Sequence, residues 1–125
     1  MSMEKVREII EEAHWGSIAT CVDGQPRVRP MLFIPMEDGE LWSSTYNVSG
    51  KVREFEGNPK VEIVFVTADK IQLRVEGLVD VSGGEAKKKR LLEVNAGARN
   101  HFEDEHDPNL VHVAVRPTRI RWKPA

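Results

Sequence analysis

One cysteine, Cys21, stands alone in 125 residues, so no intramolecular disulfide can staple the fold and stability has to come from an apolar core. A reducing, cytoplasmic setting is the matching expectation. The opening run Met1–Val6 lacks the apolar stretch of a secretory leader. No segment approaches the ~20 consecutive apolar residues that span a bilayer, and no membrane partner is expected. An excess of one charge is missing too. Eighteen Lys and Arg face 20 Asp and Glu, a formal net charge of −2, which leaves no bulk attraction for nucleic acid. Repeats and low-complexity tracts are absent. His101, Asp104, His106 and Asp107 share a polar segment, but their spacing matches no known ligand set, so no metal is expected. The remainder reads as one domain, residues 1–125.

Periodicity divides the chain into short extended pieces and three helices. Val6, Ile9, Ile10 and Ala13 recur three and four apart, predicting an amphipathic helix over Met3–His14. Gly16–Val22 is small and β-branched, and Asp23-Gly24 is a hairpin turn signal. Arg27–Met36 reads as the second strand, with Pro30 and Pro35 implying an edge, a bulge or an irregular segment. Glu40–Tyr46, Lys60–Ala68 and Ile71–Ser82 follow as strands, and Gly77 suggests a bulge. Cys21 is expected to pack in its strand. Glu85–Asn95 reads as a helix whose Lys87–Arg90 run faces solvent. Ala96–Asn109 reads as a polar connector. Leu110–Val115 and Thr118–Lys123 read as separate strands broken at Pro117. Six or seven mostly antiparallel strands with three peripheral helices predict a small, mainly β barrel.

The organising stretch is Leu41–Lys60. It runs from an apolar strand through Ser43-Ser44-Thr45-Tyr46-Asn47 to Ser49-Gly50-Lys51, then into a short helix over Val52–Glu56. Ser49 is placed to cap that helix, and Gly57 with Pro59 to end it, Gly57 as the left-handed residue. Hydroxyls at Ser44, Thr45 and Ser49, a close backbone approach at Gly50 and a cation at Lys51 gather at one helix N-terminus. Those are the parts of an anion or phosphate site. Plain capping would use the same residue types. Arg27 and Arg29 alternate on one strand face; Arg29, beside the proline-distorted segment, is the better candidate for function.

Three motifs carry a resemblance: Gly24-Gln25-Pro26-x-x-Arg29; Gly39-x-Leu41-x-x-x-Thr45-x-x-x-Ser49-x-Lys51; and Asn58-Pro59-x-Val61. Together they resemble the pyridoxamine 5′-phosphate oxidase-like family of FMN-binding split β-barrels, and the similarity runs from the leading helix to Trp122. The resemblance implies a homodimer with two FMN sites in clefts between subunits. It implies that Arg29, Thr45, Ser49 and Lys51 hold the phosphate, and that backbone around Val28, Pro30 and Met31 lines the ring. Gln72, five residues before Gly77, would reach the flavin from the other subunit, and Trp122 would lie near it. The flavin carries its own redox chemistry and the protein orients it. A flavin-dependent oxidoreductase, fed by a donor such as NAD(P)H and acting on a small molecule, is the expected activity; no catalytic residue stands out. Gly50 stands where the family's oxidase has an arginine, and Ile34 where it has a second lysine. No counterpart of the oxidase's arginine- and histidine-bearing tail follows Trp122, so pyridoxamine 5′-phosphate oxidation itself is not expected. The other readings are a non-catalytic FMN-binding, electron-carrier or stress module, or a relative holding F420 or haem in the same cleft. For haem, His14, His101, His106 and His112 are the available ligands.

Overall fold

Asp23 and Gly24 both take positive φ, 53° and 75°, the handedness that a two-residue hairpin demands. They join β1 (Trp15–Val22) to β2 (Gln25–Leu32) in the computed structural model, which describes residues 1–124. The other strands are β3 (Ile34–Pro35), β4 (Leu41–Tyr46), β5 (Lys60–Val66), β6 (Gln72–Asp80) and β7 (Leu110–Lys123). The helices are α1 (Met3–Ala13), α2 (Gly50–Gly57) and α3 (Glu85–Val94), with a 3-10 turn over Ala96–Asn100. All strand pairs are antiparallel, in the order β2-β1-β5-β6-β7-β4-β3. The two edge strands, β2 and β3, are separated along the chain by Phe33 alone. A single residue can link opposite edges only if the sheet curls round on itself, and the result is a split half-barrel.

The inward residues alternate along each strand, as a half-buried pleat requires. Ile18, Met31, Ile63, Phe65, Leu73, Val75, Val113 and Val115 fill the interior, and α1 adds Val6, Ile9 and Ile10. Ser2 caps α1, its Oγ accepting from the Lys5 amide at 3.1 Å. A second core lies on the other face of β4 and β7, where Trp42, Leu110 and Ala114 meet Leu91 and Leu92 of α3 and Ala98 and Phe102 beyond it. β4 is therefore covered on both faces.

Several expectations need correction. The expected second strand is split at Phe33, and the two pieces form opposite edges of the sheet. β7 runs unbroken through Pro117, because a bulge lets the proline sit without a ladder donor: Glu76 pairs with Arg119 and Gly77 with Pro117, leaving Thr118 extra. The polar connector contains the 3-10 turn and buries Ala98 and Phe102. α2 starts at Gly50 rather than Val52, and Gly57 is not left-handed. Instead the chain leaves α2 through extended Asn58, whose amide group donates to the Cys21 carbonyl at 2.8 Å. Cys21 is itself exposed rather than packed.

Gly77 of β6 packs directly against the β7 backbone. A Cβ there would lie 2.7 Å from Val115 Cγ1 and 2.8 Å from the Arg116 carbonyl oxygen, and the backbone oxygen cannot give way. Gly77→Ala is expected to destabilise by about 1–3 kcal/mol, the usual range for overpacking, read as a lower midpoint of chemical denaturation.

Candidate functional site

Ser49 takes extended backbone, and its Oγ accepts from the Lys51 amide at 3.1 Å, so it is the true N-cap of α2. The cap places the Lys51 side chain, half-buried, at the positive end of α2. Burial lowers the Lys51 pKa, the nearby Arg29 charge lowers it further, and Glu54 opposes them. The negative charge of an anion placed here would oppose that depression. Gly50 is exposed, and a Cβ there would meet only the Glu54 carboxylate, whose Oε2 would lie 3.8 Å away.

Arg29 reaches α2 from the inward face of β2. Its Nη2 donates to Glu54 Oε1 at 2.8 Å and Oε2 at 3.0 Å, and Thr20 Oγ1 donates to Oε1 at 2.7 Å. Arg27 Nε lies 3.9 Å from Oε2. Burial pushes the Glu54 carboxyl up, but the bonds from Arg29 and Thr20 and the charges of Arg29 and Arg27 outweigh it, holding its pKa below the ordinary value. Glu54 is therefore ionised, and three cations and one anion share this corner.

A cleft of about 320 Å³ opens beside the corner, lined by Trp15, Pro30, Met31, Ser44, Lys51 and His101 among others. Four of the expected site residues thus face one cleft: Pro30, Met31, Ser44 and Lys51. Arg29, Ser49 and Gly50 stand next to it around Lys51. Thr45 is buried in β4, and Val28 is 67% exposed. Gln72 and Trp122 do not line the cleft: they lie on β6 and β7, where Gln72 pairs with Lys123 and Trp122 with Leu73. Of the four histidines, His101 alone lines it. A larger recess, about 530 Å³, lies between the β3–β4 turn and the β7 bulge, with Arg116 and Arg119 on its wall. It contains none of the expected phosphate donors and no helix N-cap, so the smaller cleft is the candidate site.

Sequence reasoning missed Glu54, Thr20 and Trp15, and named His101 only as one of four possible haem ligands. Glu54 was legible in principle, since it follows Lys51 by three residues on a helix and shares its face. Trp15 and His101 come to the cleft through tertiary packing that no local pattern announces.

A family model described as Pyridoxamine 5'-phosphate oxidase matches residues 2–123. The chain belongs to the pyridoxamine 5'-phosphate oxidase family. A relative within reach of this family member is General stress protein 26 of Bacillus subtilis (strain 168), 29% identical over 127 residues, covering 94% of this chain and 85% of that protein. A pyridoxamine 5'-phosphate oxidase-related, FMN binding protein from Nostoc punctiforme PCC 73102 has the same fold, with a TM-score of 0.82 at 18% identity over 99% of this chain and 87% of that one. An F420 reductase aligns with a TM-score of 0.73 at 25% identity, over 92% and 94% of the two chains. The expected split barrel of the pyridoxamine 5'-phosphate oxidase family is thus the fold observed. Among the described residues, no helix is long and apolar enough to cross a membrane.

Proposed function

We propose that two copies of this chain hold FMN in clefts between them, and that the loaded protein is a flavin-dependent oxidoreductase of the cytoplasm. The convergence of Arg29 and Lys51 on the Ser49-capped start of α2, beside the cleft formed by Pro30, Met31 and Ser44, carries this reading. The fit is chemical as well as spatial. A phosphate monoester needs charge-assisted donors and free helix amides, and this corner offers a guanidinium, an ammonium and the hydroxyls of Ser49 and Ser44.

Arg29 gives the phosphate charged guanidinium donors, and Lys51 binds it as a point charge. Pro30 and Met31 give the ring a wall that excludes water. Thr45, Ser49 and Gly50 shape the turn under the phosphate. Gln72 and Trp122, remote from the cleft of their own chain, contact the ring from the second chain. Exposed Trp15, Val66 and Val28 supply apolar surface for that association. Bound FMN supplies the electron-transfer chemistry, fed by a donor such as NAD(P)H and delivered to a small-molecule acceptor.

The test is direct. Protein purified without added cofactor is expected to be yellow, to release FMN on denaturation, and to run as a dimer in light scattering. Bleaching by NADPH or NADH at catalytic rates separates the enzyme from an electron carrier. The F420 reductase neighbour motivates one competing arm: protein that ignores FMN and takes up F420 replaces the flavin reading. Protein that takes up haem instead, with His101 as the cleft histidine, does the same.

A further inference from the structure

Arg29 is held from behind before any ligand arrives. Glu54 accepts from its Nη2 through both carboxylate oxygens, and buried Thr20 donates to the same carboxylate. Among the described residues, Nε and Nη1 of Arg29 have no protein acceptor. We propose that Glu54 is a positioning residue of the phosphate cradle: braced by Thr20, it aims Arg29. This rests on the FMN reading above.

Two observations carry the inference. The first is geometry. Glu54 takes one terminal nitrogen of a long, rotamer-rich side chain and leaves the remaining donors for a ligand. The ordering that a phosphate would otherwise impose is already done, which favours binding. Thr20 stands opposite Arg27 in the β1–β2 ladder, and its hydroxyl holds the carboxylate from the β1 side. The second is charge. Arg27, Arg29 and Lys51 bring three positive charges, and Glu54 leaves two in excess. A phosphate monoester carries about −1.5 to −2 at neutral pH, so the two cations in excess can still neutralise it with Glu54 ionised. Glu54 also eases the repulsion between Arg29 and Lys51, since it raises the Lys51 pKa that Arg29 lowers.

The experiment titrates the full-length protein with FMN and with riboflavin, which lacks the phosphate, following flavin fluorescence. Glu54→Ala is expected to weaken FMN about tenfold and leave riboflavin unchanged, the size of one lost charged hydrogen bond. Glu54→Gln, which keeps an oxygen acceptor for Arg29 and Thr20, should hold FMN to within about threefold of wild type. Thr20→Val leaves every charge in place and should weaken FMN about two- to fivefold. If Glu54→Ala and Glu54→Gln both tighten FMN, Glu54 is only a repulsive charge and the proposal is overturned. Equal loss of FMN and riboflavin in Glu54→Ala, with Thr20→Val unaffected, would also overturn it, because the role would then be structural. A wild-type protein with no preference for FMN over riboflavin would instead sink the phosphate reading itself.

Discussion

Replacing Arg29 and Lys51 together with alanine is expected to give a folded protein that no longer retains FMN through purification. Each cation contributes a charge-assisted bond of about 1.5–3 kcal/mol. Losing both weakens binding by about 3–6 kcal/mol, roughly a hundred- to ten-thousandfold. Folding should survive, because neither side chain belongs to the interior cores and Glu54 keeps Thr20 and Arg27 as partners. The matched control is Arg116→Ala with Arg119→Ala on the wall of the larger recess, which should leave flavin content at the wild-type level. Full FMN occupancy in the first double variant, measured as flavin released per chain, would show that the phosphate sits elsewhere.

His112→Leu is expected to flatten the acid side of the stability profile. His112 is 1% exposed, and neither ring nitrogen has a hydrogen-bond partner among the described residues. Its ring stands edge-on to Trp42 at a centroid distance of 4.3 Å. Gly83 covers it so closely that a Cβ there would come within 2.5 Å of Nδ1. Burial pushes its pKa down to about 4, aided by Lys87 and Lys88 and opposed by Asp80. The unfolded chain protonates this histidine near pH 6.5 and the folded one only near pH 4. Between those values the unfolded state binds more protons, so stability falls as pH drops through that window. The loss is up to about 3 kcal/mol, reduced by whatever solvent reaches the ring. Leucine removes the titration and also two unsatisfied polar atoms, a gain of about 1–3 kcal/mol, set against about 0.5–1.5 kcal/mol of aromatic contact with Trp42. At pH 7 the variant should match or exceed wild type, and at pH 4.5 it should be clearly more stable in urea denaturation. An unchanged acid limb in the variant would assign that pH dependence to other groups.

Much of this architecture was legible because local signals agreed with one another. Asp23-Gly24 signalled the hairpin it forms, Lys60–Ala68 read as a strand and forms one over Lys60–Val66, and Ser49 capped the helix it was expected to cap. Pro30 and Pro35 spoke correctly of edges. What stayed hidden depended on distant partners. Pro117 looks like a strand breaker until Gly77 is seen across from it, absorbing the irregularity. Phe33 reads as one more strand residue, since nothing local says that the chain there crosses from one edge of the sheet to the other. In the site, the turn residues and Lys51 were visible as a pattern, whereas the Glu54–Thr20 brace joins α2 to β1 and appears only when the barrel forms.

The seam of the barrel has a final consequence. A sheet that does not close presents two rims where a foreign strand could dock and seed self-association. Here one rim, β2, contains Pro26 and Pro30, and the other, β3, is two residues long and ends in Pro35. Proline offers an incoming chain no amide hydrogen. The opening is therefore guarded by backbone chemistry, and the molecule can leave its barrel split without inviting polymerisation along the gap.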